Sequence, residues 1–282
     1  MGTGVKNIYH IDFGCVIYPS ALEYFDVFVK SVSEQTEKAF DLLVMNDGAE
    51  VSVLEEKLHP LDGKYHIISV EDGLSPADIR VCLIAEAKKR GTDILIIGDT
   101  DDTFSSDRVE RIVEVFCDNP QADFVYNGLR TFDNKRAMPD LPESIENVKA
   151  VAHYNFLGMS NTAIRINALD EGFIRSLGEC DSFVFDWYLY SRLLLDKHKG
   201  VLAKGAMTYY RIYDANCAGL PEATKNAVEK EIAVKQKHYN LLRKYSPYFE
   251  QLYDCYKHGN IQWAEEQEYH YWWNFTRSSN SE

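Results

Sequence analysis

The run Ile94-Leu-Ile-Ile-Gly-Asp-Thr-Asp-Asp-Thr103 constrains this chain more than any other stretch. An apolar segment with the composition of a buried strand stops in three carboxylates, Asp99, Asp101 and Asp102. Uncompensated charge is costly to bury, so these acids are expected at the open end of the strand. That end is where open α/β sheets bind their ligands. Hard oxygen donors there suit Mg²⁺ or Mn²⁺, and such an ion suits a diphosphate. The competing reading, a strand running into an acidic helix cap, accounts for Asp102 and leaves Asp99 and Asp101 unexplained.

Strand and helix signals alternate around that run. Residues 7–13 read as a first strand, and residues 20–35 as an amphipathic helix with Leu22, Phe25, Phe28, Val29 and Val32 on one face. Residues 40–45 form a second strand ending in the turn Asn46-Asp47-Gly48, 51–58 a short helix, and 65–70 a third strand. Ser75-Pro76 starts a helix that runs to Arg90 and stops at Gly91. Residues 105–117 read as a helix, 124–127 as a strand, 133–150 as a surface loop, 181–195 as a helix and 207–212 as a strand. From Glu222 onward the chain reads as helices broken near Ser246-Pro247 and His258-Gly259-Asn260. This rhythm predicts an α/β fold, a mainly parallel central sheet flanked by helices, with a C-terminal helical extension. The expected division is a nucleotide-binding and catalytic domain over 1–220 and the extension over 221–282.

Composition narrows the classes of function. The chain has 282 residues, 45% of them hydrophobic and 13% aromatic, which suits a packed globular protein. A formal charge of −14 argues against a nucleic-acid partner. No apolar stretch approaches the roughly 20 residues of a transmembrane segment, and the first residues lack the regions of a signal peptide. The cysteines at 15, 82, 117, 180, 217 and 255 form no Cys-x-x-Cys pair and read as reduced. A cytoplasmic location is expected.

Several segments, in order, resemble one family. Phe28-Val-Lys-Ser-Val-Ser-Glu-Gln-Thr36 followed by Phe40-Asp-Leu-Leu-Val-Met-Asn-Asp-Gly48 is similar to the opening of family 2 glycosyltransferases. Gly98-Asp-Thr-Asp-Asp102 resembles their Asp-x-Asp-Asp motif. Asp181-Ser-Phe-Val-Phe-Asp-Trp-Tyr-Leu-Tyr-Ser-Arg-Leu193 resembles the segment in which Glu-Asp-Trp precedes a helix. Tyr210-Arg-Ile-Tyr-Asp-Ala-Asn216 is similar to their Tyr-Arg-x-His-x-x-Asn strand and loop.

The resemblance implies a GT-A fold and an inverting, metal-dependent transferase of hexosyltransferase type. Its donor would be a UDP- or GDP-linked sugar and its acceptor a glycan or glycoconjugate. Asp47 would meet the base, Arg80 would approach the nucleotide, and Asp99 and Asp101 would face the ribose and hold Mn²⁺ or Mg²⁺. Asp186 would be the general base, with Phe185 and Trp187 raising its pKa by desolvation. Ser160, Asn161 and Trp187 would line the acceptor or sugar subsite, with Asp102, Arg211 and Asp214 as further members of the site.

Two departures stand out. Phe185 occupies the place of the family's Glu, and Tyr213 that of its His, with Asp214 as the substitute. The first strand is expected to end at Asp12-Phe13-Gly14, leaving Phe13 either stacked on a base or in the core. Trp263, Tyr269, Tyr271, Trp272 and Trp273 suit an acceptor surface, a partner interface such as a homo-oligomer, or packing against the sheet domain. Two other functions remain open: a sugar-nucleotide-binding relative without turnover, and a phosphatase, since Asp99-x-Asp101-x-Thr103 has the form of a phosphoryl-accepting motif.

Overall fold

A central sheet of nine strands among the described residues carries the site along one edge. The computed structural model describes residues 9–132, 138, 141–182, 184–212, 224–264 and 271–279. The elements in chain order are β1 (Ile11–Ile17), α1 (Leu22–Ser33), β2 (Asp41–Asn46), α2 (Val51–Leu58), β3 (Tyr65–Ser69), α3 (Pro76–Arg90) and β4 (Ile94–Ile97). There follow β5 (Thr103–Phe104), α4 (Arg108–Asp118), β6 (Phe124–Thr131), β7 (Ser144–Ile145), β8 (Thr162–Arg165), α5 (Glu171–Ser176), α6 (Phe185–Leu195) and β9 (Gly200–Tyr210). The chain closes with α7 (Lys225–Leu242), α8 (Pro247–Lys257), β10 (Ile261–Trp263) and β11 (Thr276–Ser278).

The sheet order is β3-β2-β1-β4-β8-β6-β9-β5, with β7 on β9. The half built from β3, β2, β1 and β4 is parallel. Beyond β4 the sheet is mixed: β8 runs antiparallel to both β4 and β6, while β6 and β9 are parallel. From β1 the chain winds outward through β2 and β3, then returns to place β4 on the other side of β1. That reversal opens the crevice in which such sheets hold ligands, and the loop after β4 lies there.

Local chemistry explains the best-defined boundaries. The Ser75 hydroxyl accepts from the Asp78 amide while the Asp78 carboxylate accepts from the Ser75 amide, a capping box around Pro76. Gly91 ends α3 in the left-handed conformation, φ +75°. Two apolar layers cover the sheet. One packs α1, α2 and α4 against Phe13, Leu42, Val44 and Ile96, and the other gathers α3, α6, α7 and α8 around Leu43, Leu95, Tyr126 and Trp187.

Several expectations are corrected. The first strand runs to Ile17, so Asp12 lies at its amino end, fully buried, where Arg90 Nε reaches it at 3.0 Å and the Thr92 hydroxyl also donates to it. Of the two settings expected for Phe13 the core one holds: it is 0% exposed, packed between Phe28, Phe40 and Phe104. Residues 103–104 form a short strand on β9 rather than the start of a helix, so Asp102 is not a helix cap. The end of the chain is not helical throughout: β10 and β11 pair as an antiparallel ribbon. Of the tail aromatics, Trp272 and Trp273 are buried and Trp263 is 61% exposed, while Tyr269 lies outside the described residues.

Candidate active site

The site is assembled from the loop after β4, the Gly158–Thr162 segment, the start of α6 and the end of β9. Gly98 follows β4 where a Cβ would lie 2.5 Å from the Phe104 ring and 2.8 Å from Phe13, so only glycine lets the acidic loop leave the sheet there. The Asp99 amide donates to Ser160 Oγ at 3.1 Å, the Thr100 hydroxyl to the Val16 carbonyl at 3.1 Å, and the Asp102 amide to the Asp99 carbonyl at 3.1 Å. The loop is thereby tied to β1 and to the Gly158–Thr162 segment.

The three acids have different surroundings. Asp99 is half-buried and faces the Arg80 guanidinium of α3 at 3.7 Å. Asp101 is also half-buried, and Arg211 Nε donates to its backbone carbonyl at 2.9 Å. Asp102, expected at an exposed strand end, is instead 1% exposed. Its Oδ1 accepts from the Arg211 amide at 3.0 Å. Burial, reinforced by Asp101 and Asp99, holds its carboxyl well above the usual range, which favours the neutral acid.

Beneath this cluster sits a residue that sequence reasoning missed. Arg108, at the start of α4, is fully buried. Its guanidinium donates to Asn127 Oδ1 at 2.9 Å and to the carbonyls of Ile97 at 2.8 Å and Ser160 at 3.0 Å, and it lies 4.5 Å from the Phe104 ring centroid. Burial lowers its pKa to about 9, with Asp102, Tyr190 and Asp99 acting against that fall. The signal was available: residues 108, 112 and 116 share one face of α4, and Ile112 and Phe116 are apolar.

Asp186 opens α6 in a densely packed setting. Burial raises its carboxyl to about 6; the Trp187 amide and Arg80 oppose the rise and Asp99 adds to it. Its Oδ1 accepts from the Trp187 amide at 2.7 Å and its Oδ2 from Asn155 Nδ2 at 3.4 Å. Thus Asp186, Asp99 and Arg80 share one electrostatic neighbourhood.

The remaining expected residues divide. Asp47 is half-buried at the end of β2, its amide on the Ile17 carbonyl at 2.8 Å. The turn itself is closed by Asn46, whose side chain bonds both ways with Ala49 at 2.9 Å, so the Asp47 carboxylate is not needed for it. Arg211 lies at the acidic loop, with its guanidinium 4.7 Å from the Tyr24 ring and 4.3 Å from that of Phe132.

Ser160 and Asn161 are buried. Asn161 is committed internally, donating to the Asn127 and Phe156 carbonyls at 3.0 Å and accepting from the Gly158 amide at 2.8 Å. Trp187 is 0% exposed, stacked on His238 at 4.2 Å with its indole N–H on the Val151 carbonyl at 2.6 Å. Neither Asn161 nor Trp187 presents an exposed edge to a ligand; both are packed inside the protein. Asp214 and Tyr213 lie outside the described residues.

A second group of candidate ligands, His10, Asp12 and Asp41, sits at the amino ends of β1 and β2, away from this site. Arg90 stands among them, 3.0 Å from Asp12 and 3.9 Å from Asp41, and already supplies the positive charge.

A sheet whose winding reverses beside β4, an acid-tipped strand at that point, and Asp186 in the electrostatic neighbourhood of Arg80 and Asp99 together give the arrangement of a GT-A type fold. The model of glycosyl transferase family 2 matches residues 16–173, and the chain belongs to that family. No curated protein sequence matches the chain.

Solved structures agree on the fold. TarS 1–349 from S. aureus in complex with UDP has 12% identity and a TM-score of 0.57, over 86% of this chain and 69% of that one. Its complex with UDP-GlcNAc gives 13% and 0.58, over 89% and 73%. The mannosyltransferase PcManGT from Pyrobaculum calidifontis, in complex with GDP-Man and Mn²⁺, gives 11% and 0.55, over 87% and 68%. Among the described residues no helix is long and apolar enough to cross a membrane.

Proposed function

We propose that this protein transfers a sugar, with inversion, from a UDP- or GDP-linked donor to a hydroxyl of a glycan or glycoconjugate. The observation that carries the reading is the joint placement of Asp186, raised to about 6, with Arg80 and Asp99 at the carboxyl edge of the sheet. In the proposed reaction the acceptor oxygen attacks the anomeric carbon while the bond from that carbon to the diphosphate oxygen breaks. Asp186 accepts the acceptor's proton, which a carboxylate with a pKa near the working pH does well. Arg80 offsets charge on the departing nucleoside diphosphate. In this reading Asp47, at the end of β2, meets the base.

The donor chemistry fits a divalent ion. Asp99 and Asp101 are half-buried carboxylates on one short loop, hard oxygen ligands of the type Mn²⁺ and Mg²⁺ favour. An ion held there would stabilise the negative charge of the leaving diphosphate. Asp102, whose carboxyl burial raises and Asp101 and Asp99 raise further, is tied into the loop through the Arg211 amide.

Calorimetry with UDP and with GDP, each with and without Mn²⁺, tests the donor site. Wild type is expected to bind one of the two in a Mn²⁺-dependent way, and Asp101→Ala to weaken that binding at least about 10-fold. Equal, metal-independent affinity in wild type and variant would remove Asp101 from the site.

A further inference from the structure

The last described segment of the chain is fastened at two points. Glu231 on α7 is fully buried, and its carboxylate accepts from the amides of Phe275 at 2.9 Å and Thr276 at 2.8 Å, from the Thr276 hydroxyl at 2.7 Å and from Lys235 Nζ at 2.9 Å. Lys235, equally buried, also donates to the Thr276 carbonyl at 2.6 Å. Four residues earlier, Trp272 pairs with Asn155 through both backbone amides, at 2.9 and 3.1 Å. The Trp272 ring fills the space above Gly158, where a Cβ would lie 2.8 Å from it, and meets the Tyr210 ring edge-on at 5.9 Å. The segment therefore lies against Gly158 and Tyr210, two borders of the site.

Asn155 is where this fastening reaches the chemistry. It is 1% exposed. Its side-chain carbonyl accepts from the Leu157 amide at 3.0 Å, and its amide group donates to the Leu157 carbonyl at 3.1 Å and to Asp186 Oδ2 at 3.4 Å. The other oxygen of Asp186 accepts from the Trp187 amide at 2.7 Å. A carboxylate bonded at both oxygens by different elements is restrained from turning about its own axis. Without Asn155 the hydrogen bond left to it among the described residues is the one on its own helix.

We propose that Asn155 is a positioning residue for the transfer reaction, locked by the C-terminal segment Tyr271–Ser278 so that its amide fixes the orientation of the Asp186 carboxylate. This rests on Asp186 as the base. Asn155 acts through Asp186, and Trp272 acts through Asn155, Gly158 and Tyr210. The ionisable groups facing Asp186 are Arg80 from α3 and Asp99 from the loop after β4, with the Tyr190 phenol and the Cys180 thiol in electrostatic range. Asn155 is uncharged, and its donor favours the ionised base, so its loss raises the pKa of Asp186.

Asn155→Ala and Asn155→Ser, made in the full chain, test this by steady-state kinetics across the acid limb and by carbon NMR titration of the Asp186 carboxyl, assigned with Asp186→Asn. Both variants are expected to lose about 10- to 100-fold in kcat, as a misaligned catalytic group does. The donor KM should stay as in wild type, and both the acid limb and the carboxyl titration should move to higher pH. Unchanged kcat and unchanged titration in whichever variant folds, beside an inactive Asp186→Asn, would overturn the role of Asn155 alone. Full transfer by Asp186→Asn would remove the base itself, and this proposal with it.

Discussion

Asp186→Asn is expected to lower transfer by about 10²- to 10⁴-fold, the range typical for a general base, while leaving donor binding intact. The substitution keeps the size and planarity of the side chain and removes only its ability to take a proton. Wild-type activity should climb with pH through about 6 and level off above it, because the carboxylate is the working form and burial raises its pKa to about 6. A chain that binds donor but shows no transfer in either form would be the non-catalytic relative instead. A pH profile flat through that region would remove Asp186 as the base.

The same shift carries a stability consequence with a definite sign. A carboxyl whose folded pKa lies above its unfolded value adds stability when protonated, below about pH 4. That stability is lost as pH rises through about 6. At neutral pH the folded protein therefore bears the cost of an ionised, packed-in Asp186. Asp186→Asn relieves it, so the inactive variant should be more stable than wild type by on the order of 2 kcal/mol at neutral pH, with the gap closing in acid. Chemical denaturation at two pH values measures this. A residue with a purely structural role would show the opposite, a variant less stable than wild type.

How much of this was legible in the sequence follows the range of the interactions involved. The parallel half of the sheet was, because each strand is a short apolar run bounded by local signals such as Ser75-Pro76, Gly91 and the Asn46-Asp47-Gly48 turn. The mixed half was not. β8, β6 and β9 pair across long separations, and nothing local in residues 162–165 announces an antiparallel partner in β4. The tail failed for a similar reason: Thr276 is a strand residue because Glu231, far away on α7, binds its amide and hydroxyl.

In the candidate site, spacing and family likeness single out Asp99, Asp101, Arg80 and Asp186, and the fold sets Arg80 beside Asp99 with Asp186 in their electrostatic range. The rule that charge avoids the interior misplaced Asp102 and hid the part played by Asp12 and Arg108. Each is buried against a specific partner or a ring of carbonyls, and only tertiary structure supplies those. Asn155 carries no signal at all in the sequence, since its importance lies in facing Asp186 on one side and Trp272 on the other.

Glu231→Leu is expected to cost about 3–5 kcal/mol, the penalty for removing one member of a buried ion pair. The magnitude follows from what is left behind. Lys235 loses its counter-charge in a fully buried position, and the amides of Phe275 and Thr276 lose their acceptor. Burial already depresses the Lys235 ammonium to about 8 with Glu231 present, so without that carboxylate it is driven further towards the neutral amine. Adding Lys235→Met to Glu231→Leu should recover part of the loss, because an apolar pair of similar volume no longer strands a charge. The two substitutions should therefore be strongly non-additive. Urea denaturation of the wild type, both single variants and the double variant closes the cycle, and additive effects would refute the pairing. The same four proteins also separate fastening from chemistry. If this ion pair seats the segment that holds Asn155, Glu231→Leu should lower kcat even at temperatures where the protein remains folded, and the double variant should regain activity in step with its regained stability.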